Sequence, residues 1–443
     1  MKKKDGLLIP RTRRQFLKTA AAAGGAVAMP YMIPSSALGK DGHTAPSNRI
    51  VMGGIGIGGR GSLDLRVFLG HKDVQFVGIC DVQKARCEAA VKRVNAKYGN
   101  NACKTYSNIH EIVAQPDIDA MLIATGDRWH APAAILAMRA GKDVYVEKPS
   151  CFTMDEGLRV VETARRYGCV YQTGTQRLSE PNHVFAIQMA LSGRLGKIHT
   201  VYADIRYRGG NRFDWLPGQP QPSKDVVDWD AWLGTAPWRP YNQTYLNHGW
   251  YNYYDFATDT AMWGAHTIAQ CVAGLDMKGV THIEFEFAKK GETIVTKLSN
   301  GVKMVLIRNG NVTPWKPNEY WRGACGERFD GPEGWAGAAD GYSKPDVSSS
   351  KLLVEYKKVL AEYTTSTQRS LNHWRNFLDC VKSRQAPVAN EDVMYNSMIM
   401  CLAADICDLL QRNLKFDFIK AEFVDDPEAN RLRARAMRES WCV

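Results

Sequence analysis

A two-part α/β chain is predicted by three features of the sequence. Strand and helix patterns alternate between residues 48 and 173 around a glycine-rich turn, and from residue 197 onward β-rich segments recur with no helix between the last three. The 443 residues, 45% hydrophobic and 23% charged, also hold ample material for a core, and the length fits two or three domains. The first part is expected to form a Rossmann domain with a parallel sheet, the second an α+β domain with a large, mostly antiparallel sheet.

Each element follows from its local pattern. Arg49 to Gly54 is a short apolar strand, Gly56-Ile57-Gly58-Gly59-Arg60-Gly61 follows it, Ser62 to Leu69 reads as a helix, and Val74 to Cys80 is a second strand ending in Asp81. Ala120 to Ala124 (strand), Ala131 to Ala140 (helix) and Asp143 to Val146 (strand) repeat the right-handed crossover unit. Length and β-branched content mark Lys197 to Arg208, Thr281 to Phe287, Thr293 to Leu298 and Val302 to Ile307 as strands. Leu371 to Ser383 and Asn390 to Leu410 are helical, and are expected to pack across the second sheet or back on the first domain. The implied organisation is a signal over 1–39, the Rossmann domain over 48–173, an α/β substrate domain over 174–420 and a tail over 421–443.

The formal net charge of +11 is concentrated at the N-terminus, where the first 39 residues carry seven bases and one acid. The remainder is too weakly basic to suggest a nucleic-acid partner. Basic residues, an apolar stretch from Phe16 to Ile33 and the small residues Ser35, Ala37 and Gly39 read as a cleavable signal. Within it, Thr12-Arg13-Arg14-Gln15-Phe16-Leu17-Lys18 resembles the twin-arginine export signal. That resemblance implies a periplasmic or other extracytoplasmic protein, a translocase as partner during export, and folding with any cofactor loaded beforehand in the cytoplasm. No stable membrane insertion is expected, since no apolar run reaches about 20 residues. The 11 cysteines are odd in number, scattered and without a C-x-x-C pair, so most should be buried thiols; Cys151 is the one to check for reactivity, with core packing the favoured reading. No metal site is expected.

The glycine motif sits where dinucleotide chemistry needs it, after a strand and at the start of a helix, with Asp81 20 residues beyond Gly61. Gly56 permits the tight turn, Gly58 the approach of a pyrophosphate and Gly61 close helix packing, while the helix N-terminus offers free N–H groups to an anion. Asp81 would accept hydrogen bonds from the adenosine ribose and repel a 2′-phosphate, which favours NAD over NADP; Arg60 or Lys84 would partly offset that repulsion.

The run from Ala124-Thr125-Gly126-Asp127-Arg128-Trp129-His130 through Gly141-Lys142 to Glu147-Lys148-Pro149 resembles the glucose-fructose oxidoreductase and inositol dehydrogenase family (Gfo/Idh/MocA). Asp230-Ala231-Trp232-Leu233-Gly234, Phe329 to Trp335 and Phe423 to Asn430 are similar to its exported branch. The resemblance implies that Lys148 touches the substrate hydroxyl and the nicotinamide ribose, with a cis bond to Pro149. Thr125, His130 and Glu147 are cofactor candidates beside Gly56, Gly58, Gly59, Arg60, Gly61 and Asp81, while Gln176 and Arg177, just past the domain junction, are weaker substrate candidates, as is His130; surface solvation or packing is an equal reading for these. The family's Asp four residues before a His is broken here, because His266 is preceded by Met262. Asp259 is the nearest upstream stand-in, but about 10 Å away along a continuous helix. Six tryptophans and five tyrosines fall between Phe213 and Trp263, of which one or two rings would line a sugar site and the rest pack a long loop.

These features imply an exported NAD-dependent oxidoreductase acting on a secondary hydroxyl of a sugar, polyol or derivative, with Lys148, His266 and Asp259 as the catalytic candidates. A redox-neutral glycoside hydrolase or epimerase with a recycled NAD is the alternative, and a sugar-binding protein with a vestigial site the third reading. A homo-oligomer through the second sheet is a family expectation.

Overall fold

The computed structural model describes residues 45–205, 209–308 and 325–441, so the export signal lies outside the described residues. Six strands, β1 (Ile50–Ile55), β2 (Val74–Cys80), β3 (Lys104–Tyr106), β4 (Ala120–Ile123), β5 (Asp143–Val146) and β6 (Tyr171–Thr173), form one sheet in the order 3-2-1-4-5-6. All its pairs are parallel. The strand order reverses between β1 and β4, and the crevice beyond their carboxyl ends is where such sheets bind ligands.

Helices α1 (Gly59–Phe68), α2 (Lys84–Tyr98), α3 (Asp127–Arg139) and α4 (Met154–Tyr167) connect these strands. A reciprocal cap starts α4, with Thr153 accepting from Glu156 N–H and the Glu156 carboxylate accepting from Thr153 N–H; Gly168, at φ 63°, stops it. Helix α3 begins four residues before the expected Ala131. Pro132 lies inside α3, and the Arg128 carbonyl that its missing N–H would have bonded accepts from Thr235 Oγ1 at 3.1 Å instead.

The second sheet has nine strands: β7 (Thr200–Asp204), β8 (His282–Glu286), β9 (Ile294–Leu298), β10 (Lys303–Ile307), β11 (Glu327–Gly331), β12 (Gly334–Ala338), β13 (Asp346–Val347), β14 (Leu414–Asp417) and β15 (Glu422–Phe423). Their order is 13-12-11-7-10-9-8-14-15, antiparallel throughout except for the parallel pair β7 and β10. The motif Phe329 to Trp335 is the tight β11–β12 hairpin, closed by Gly334 at φ 133°.

Four further helices matter for the site: α5 (Pro181–Leu191), α6 (Ala261–Ala273), α7 (His373–Ser383) and α8 (Glu391–Leu410). Helices α6 and α8 pack on each other, and Ile268, Val272, Met398 and Ile399 share one core with Phe285 and Met304 of the sheet. By length and composition α8 is apolar enough to cross a membrane, but 67% of its most apolar window is buried against its neighbours. Helix α7 folds back on the first sheet, where Phe377 packs 6.2 Å from Phe68 and 5.8 Å from Tyr145. The aromatic insertion forms a small core of its own from Trp229, Trp232, Leu233, Tyr245 and Phe256. Of the ten described cysteines all are free thiols, nine of them buried; burial holds the Cys151 thiol well above the ordinary range, which makes it unreactive.

Candidate active site

A cavity of about 380 Å³ runs along the carboxyl edge of the parallel sheet. Gly56, Gly58, Gly59, Thr125 and Gly126 line its floor, and Asp81 and Gln83 one end. Two glycines of the motif, Gly56 and Gly61, are required sterically. Gly56 has φ 73°, and a Cβ there would lie 2.8 Å from the Thr125 backbone, while one on Gly61 would lie 2.8 Å from the Gly56 carbonyl. Asp81 accepts the Gln83 N–H at 2.9 Å. Burial pushes its carboxyl up to about 6, against the pull of that N–H and of Arg86.

The opposite wall comes from the aromatic insertion, through Trp232, His248, Trp250 and Tyr251, together with Trp441. These rings therefore cover the cofactor cavity, a position that composition did not indicate when a sugar platform was expected. Arg60 lines the cavity but is engaged, with Asp64 at 2.9 Å and Glu147 at 3.1 Å, and Lys84 is exposed. The cation nearest Asp81 and Gly58 is Arg86, which the sequence reading passed over.

Lys148 follows β5 and its peptide bond to Pro149 is cis. Its Nζ donates to the Met262 carbonyl at 2.7 Å and stands 5.5 Å from the Trp263 ring centre. The residue in the place of the family Asp thus holds the lysine through its backbone. Burial lowers the Lys148 pKa, Glu147 and Asp127 oppose that shift, and Arg177 adds to it. Glu147 is buried and accepts from Gln176 Nε2 at 2.6 Å; Gln176 also donates to Tyr145, so both side chains anchor the end of β5. His130 is buried too, with Nδ1 2.6 Å from the Pro149 carbonyl, which fixes the backbone beside Lys148.

Arg177 is clamped by both oxygens of Asp340, at 2.9 and 2.6 Å, and donates to His266 Nε2 at 2.9 Å. A guanidinium only donates, so Nε2 accepts and the imidazole proton is on Nδ1, which has no partner among the described residues. Burial, then the charges of Arg177 and Lys148, hold the His266 pKa well below its ordinary value, and the ring is neutral. Asp259 does not supply the missing carboxylate. It precedes α6 and lines a separate cavity of about 70 Å³ with Phe152 and Arg435. The carboxylate that reaches His266 is Asp340, through Arg177, and no local spacing in the sequence linked them.

The fit to a dinucleotide rests on this geometry: a floor that tolerates no Cβ at Gly56, a carboxylate at the ribose end, and a buried arginine, Arg128, whose Nη1 has no partner among the described residues. A model of an oxidoreductase family with an NAD-binding Rossmann fold matches residues 49–175, and one of the same family's C-terminal alpha/beta domain matches residues 348–443. The chain belongs to the Gfo/Idh/MocA oxidoreductases. Its Rossmann domain binds NAD, and a twin-arginine translocation signal at residues 12–30 marks this Gfo/Idh/MocA protein for export.

Among curated relatives, an alpha-N-acetylgalactosaminidase of Shewanella oneidensis is 34% identical over 169 residues, which is 35% of this chain and 37% of that protein. A glycosyl hydrolase family 109 protein of Stenotrophomonas maltophilia is 28% identical over 235 residues, 51% of this chain and 49% of that one. The matches thus span between about a third and a half of these relatives. Among solved structures, the WlbA dehydrogenase of Bordetella pertussis, in complex with NADH and UDP-GlcNAcA, has a TM-score of 0.57 at 16% identity, covering 85% of this chain and 100% of that one. A putative myo-inositol dehydrogenase of Sinorhizobium meliloti has a TM-score of 0.53 at 15% identity, covering 82% and 98%. At such identities the likeness establishes the fold.

Proposed function

We propose that this enzyme oxidises a secondary hydroxyl of a sugar or sugar derivative, with Lys148 as the base that takes the hydroxyl proton. The observation that carries this reading is the placement of Lys148 at the carboxyl edge of the sheet, half-buried, with a lowered pKa and its Nζ oriented by the Met262 carbonyl. A lysine so disposed is available as a neutral amine closer to neutral pH than a solvated one. NAD, when bound, accepts the hydride from the substrate carbon. Arg177, fixed by Asp340, presents a cation beside Lys148 that stabilises developing negative charge on the substrate oxygen. His266 is neutral with its acceptor nitrogen on Arg177, so it orients the guanidinium and has only Nδ1–H left to donate.

A second reading, net cleavage or epimerisation of a glycoside with the hydride returned, is favoured by the aromatic wall over the cofactor cavity, which suits a cofactor that stays bound, and by the names of the glycosyl hydrolase family 109 relatives. Oxidation next to a C–H bond acidifies it, and the same base and cation then serve elimination or inversion. Incubating the purified protein with a panel of sugars and glycosides separates the two. Reduced cofactor accumulating in step with product supports net oxidation, and product without net cofactor change supports the redox-neutral path. No turnover of any panel member refutes both.

A further inference from the structure

We infer that Arg128 is the counter-cation for the phosphates of the bound dinucleotide, and that the aromatic insertion exists in part to hold it there. This rests on NAD binding by the Rossmann domain and is independent of the reaction that follows. Arg128 is 3% exposed. Its Nε and Nη2 donate to the Trp232 carbonyl at 2.9 and 2.5 Å, and its guanidinium carbon lies 3.8 Å over the Trp232 ring and 5.3 Å from that of Phe256. Thr235 of the same insertion bonds the Arg128 carbonyl. The remaining nitrogen, Nη1, is buried with no partner among the described residues and lies beside Gly126 of the cavity lining, where a Cβ on Gly126 would come within 2.8 Å of it.

A carbonyl dipole and aromatic faces compensate a buried charge only in part, so a guanidinium in this position calls for an anion. The adjacent Asp127 does not provide it as an ion pair among the described residues; its carboxylate accepts from the N–H and hydroxyl of Thr258, both at 2.9 Å. Burial accordingly drags the Arg128 pKa down to about 9. The ligand of this cavity carries adjacent phosphates, for which the glycine loop offers N–H groups and a helix N-terminus but no free charge. Of the three arginines on the cavity wall, Arg60 is tied to Asp64 and Glu147, and Arg86 reaches toward Gly58 from the Asp81 end with Nη2 on the Leu246 carbonyl. Arg128 adds a second cation on the other side of the floor, with a buried, vacant donor beside Gly126.

The test uses the mature full chain with Arg128→Met and Arg128→Lys, stripped of cofactor and titrated with NAD by tryptophan fluorescence, alongside melting temperatures with and without NAD. Loss of one charge-assisted hydrogen bond predicts NAD affinity about ten- to a hundredfold weaker in Arg128→Met. The NAD-free variant should melt no lower than the wild type, since it has lost an uncompensated buried charge, so the stabilisation conferred by NAD shrinks. Wild-type NAD affinity in Arg128→Met, or an equal fall in melting temperature with and without NAD, would overturn the inference in favour of a purely structural role. Should the Met variant fail to fold, Arg128→Lys decides. Weakened NAD binding at an unchanged NAD-free melting temperature supports the assignment, and unchanged binding or a lowered NAD-free melting temperature rejects it.

Discussion

Asp81 gives a prediction whose sign and size both follow from the structure. Its carboxyl titrates near 6 because burial disfavours the charged form, although the Gln83 N–H and Arg86 favour it. In the NAD-free protein, ionisation of this raised group lowers stability as pH climbs from about 4 to 6. Ribose hydroxyls donate to the ionised carboxylate, so NAD binding draws on the charged form and its affinity must rise with pH through 6 and then level. For one linked proton the gain between pH 5 and pH 7 is about tenfold. Asp81→Asn keeps the shape and removes the charge; it should weaken NAD by about ten- to a hundredfold at pH 7, discriminate less against NADP, and abolish the pH step. Calorimetric titration with NAD from pH 5 to 8 measures all of this. A wild-type affinity that is flat across the range, or a step that persists in Asp81→Asn, would refute the role given to the carboxylate.

Two further outcomes are expected. Lys148→Met should lower turnover by roughly 10² to 10⁴ while heat-released extracts still contain NAD, and the wild-type rate should rise with pH through a value below that of an ordinary lysine; full activity in the variant would reassign the base. Replacing Arg13 and Arg14 by lysine should leave the protein in the cytoplasm, checked by fractionation, and mature protein in the periplasm would contradict a twin-arginine route.

The parts of the molecule written in short-range pattern were legible in the sequence. The glycine motif, Asp81 and Lys148-Pro149 depend on residues a few positions apart, and the parallel sheet follows from strands and helices in alternation. What escaped was polar pairing across long separations. Arg177 meets Asp340 163 residues away, and Arg128 meets Trp232 104 residues away. The Met262 carbonyl replaces a side chain as the partner of Lys148, which no reading of residue types detects. The aromatic insertion was visible as composition, but its direction was not, because ring content is the same whether a loop faces a sugar or a nucleotide.

The cavity wall is finished by residues that leave the ribosome long after its floor. Trp441 packs 5.3 Å from Trp129 and donates to Asp230, and Arg438 bonds the Gly234 carbonyl at 2.9 Å. One part of the wall is therefore held by contacts between segments far apart in the chain, so a substitution that detaches Trp441 from Trp129 and Asp230 opens the NAD cavity without touching its glycine floor.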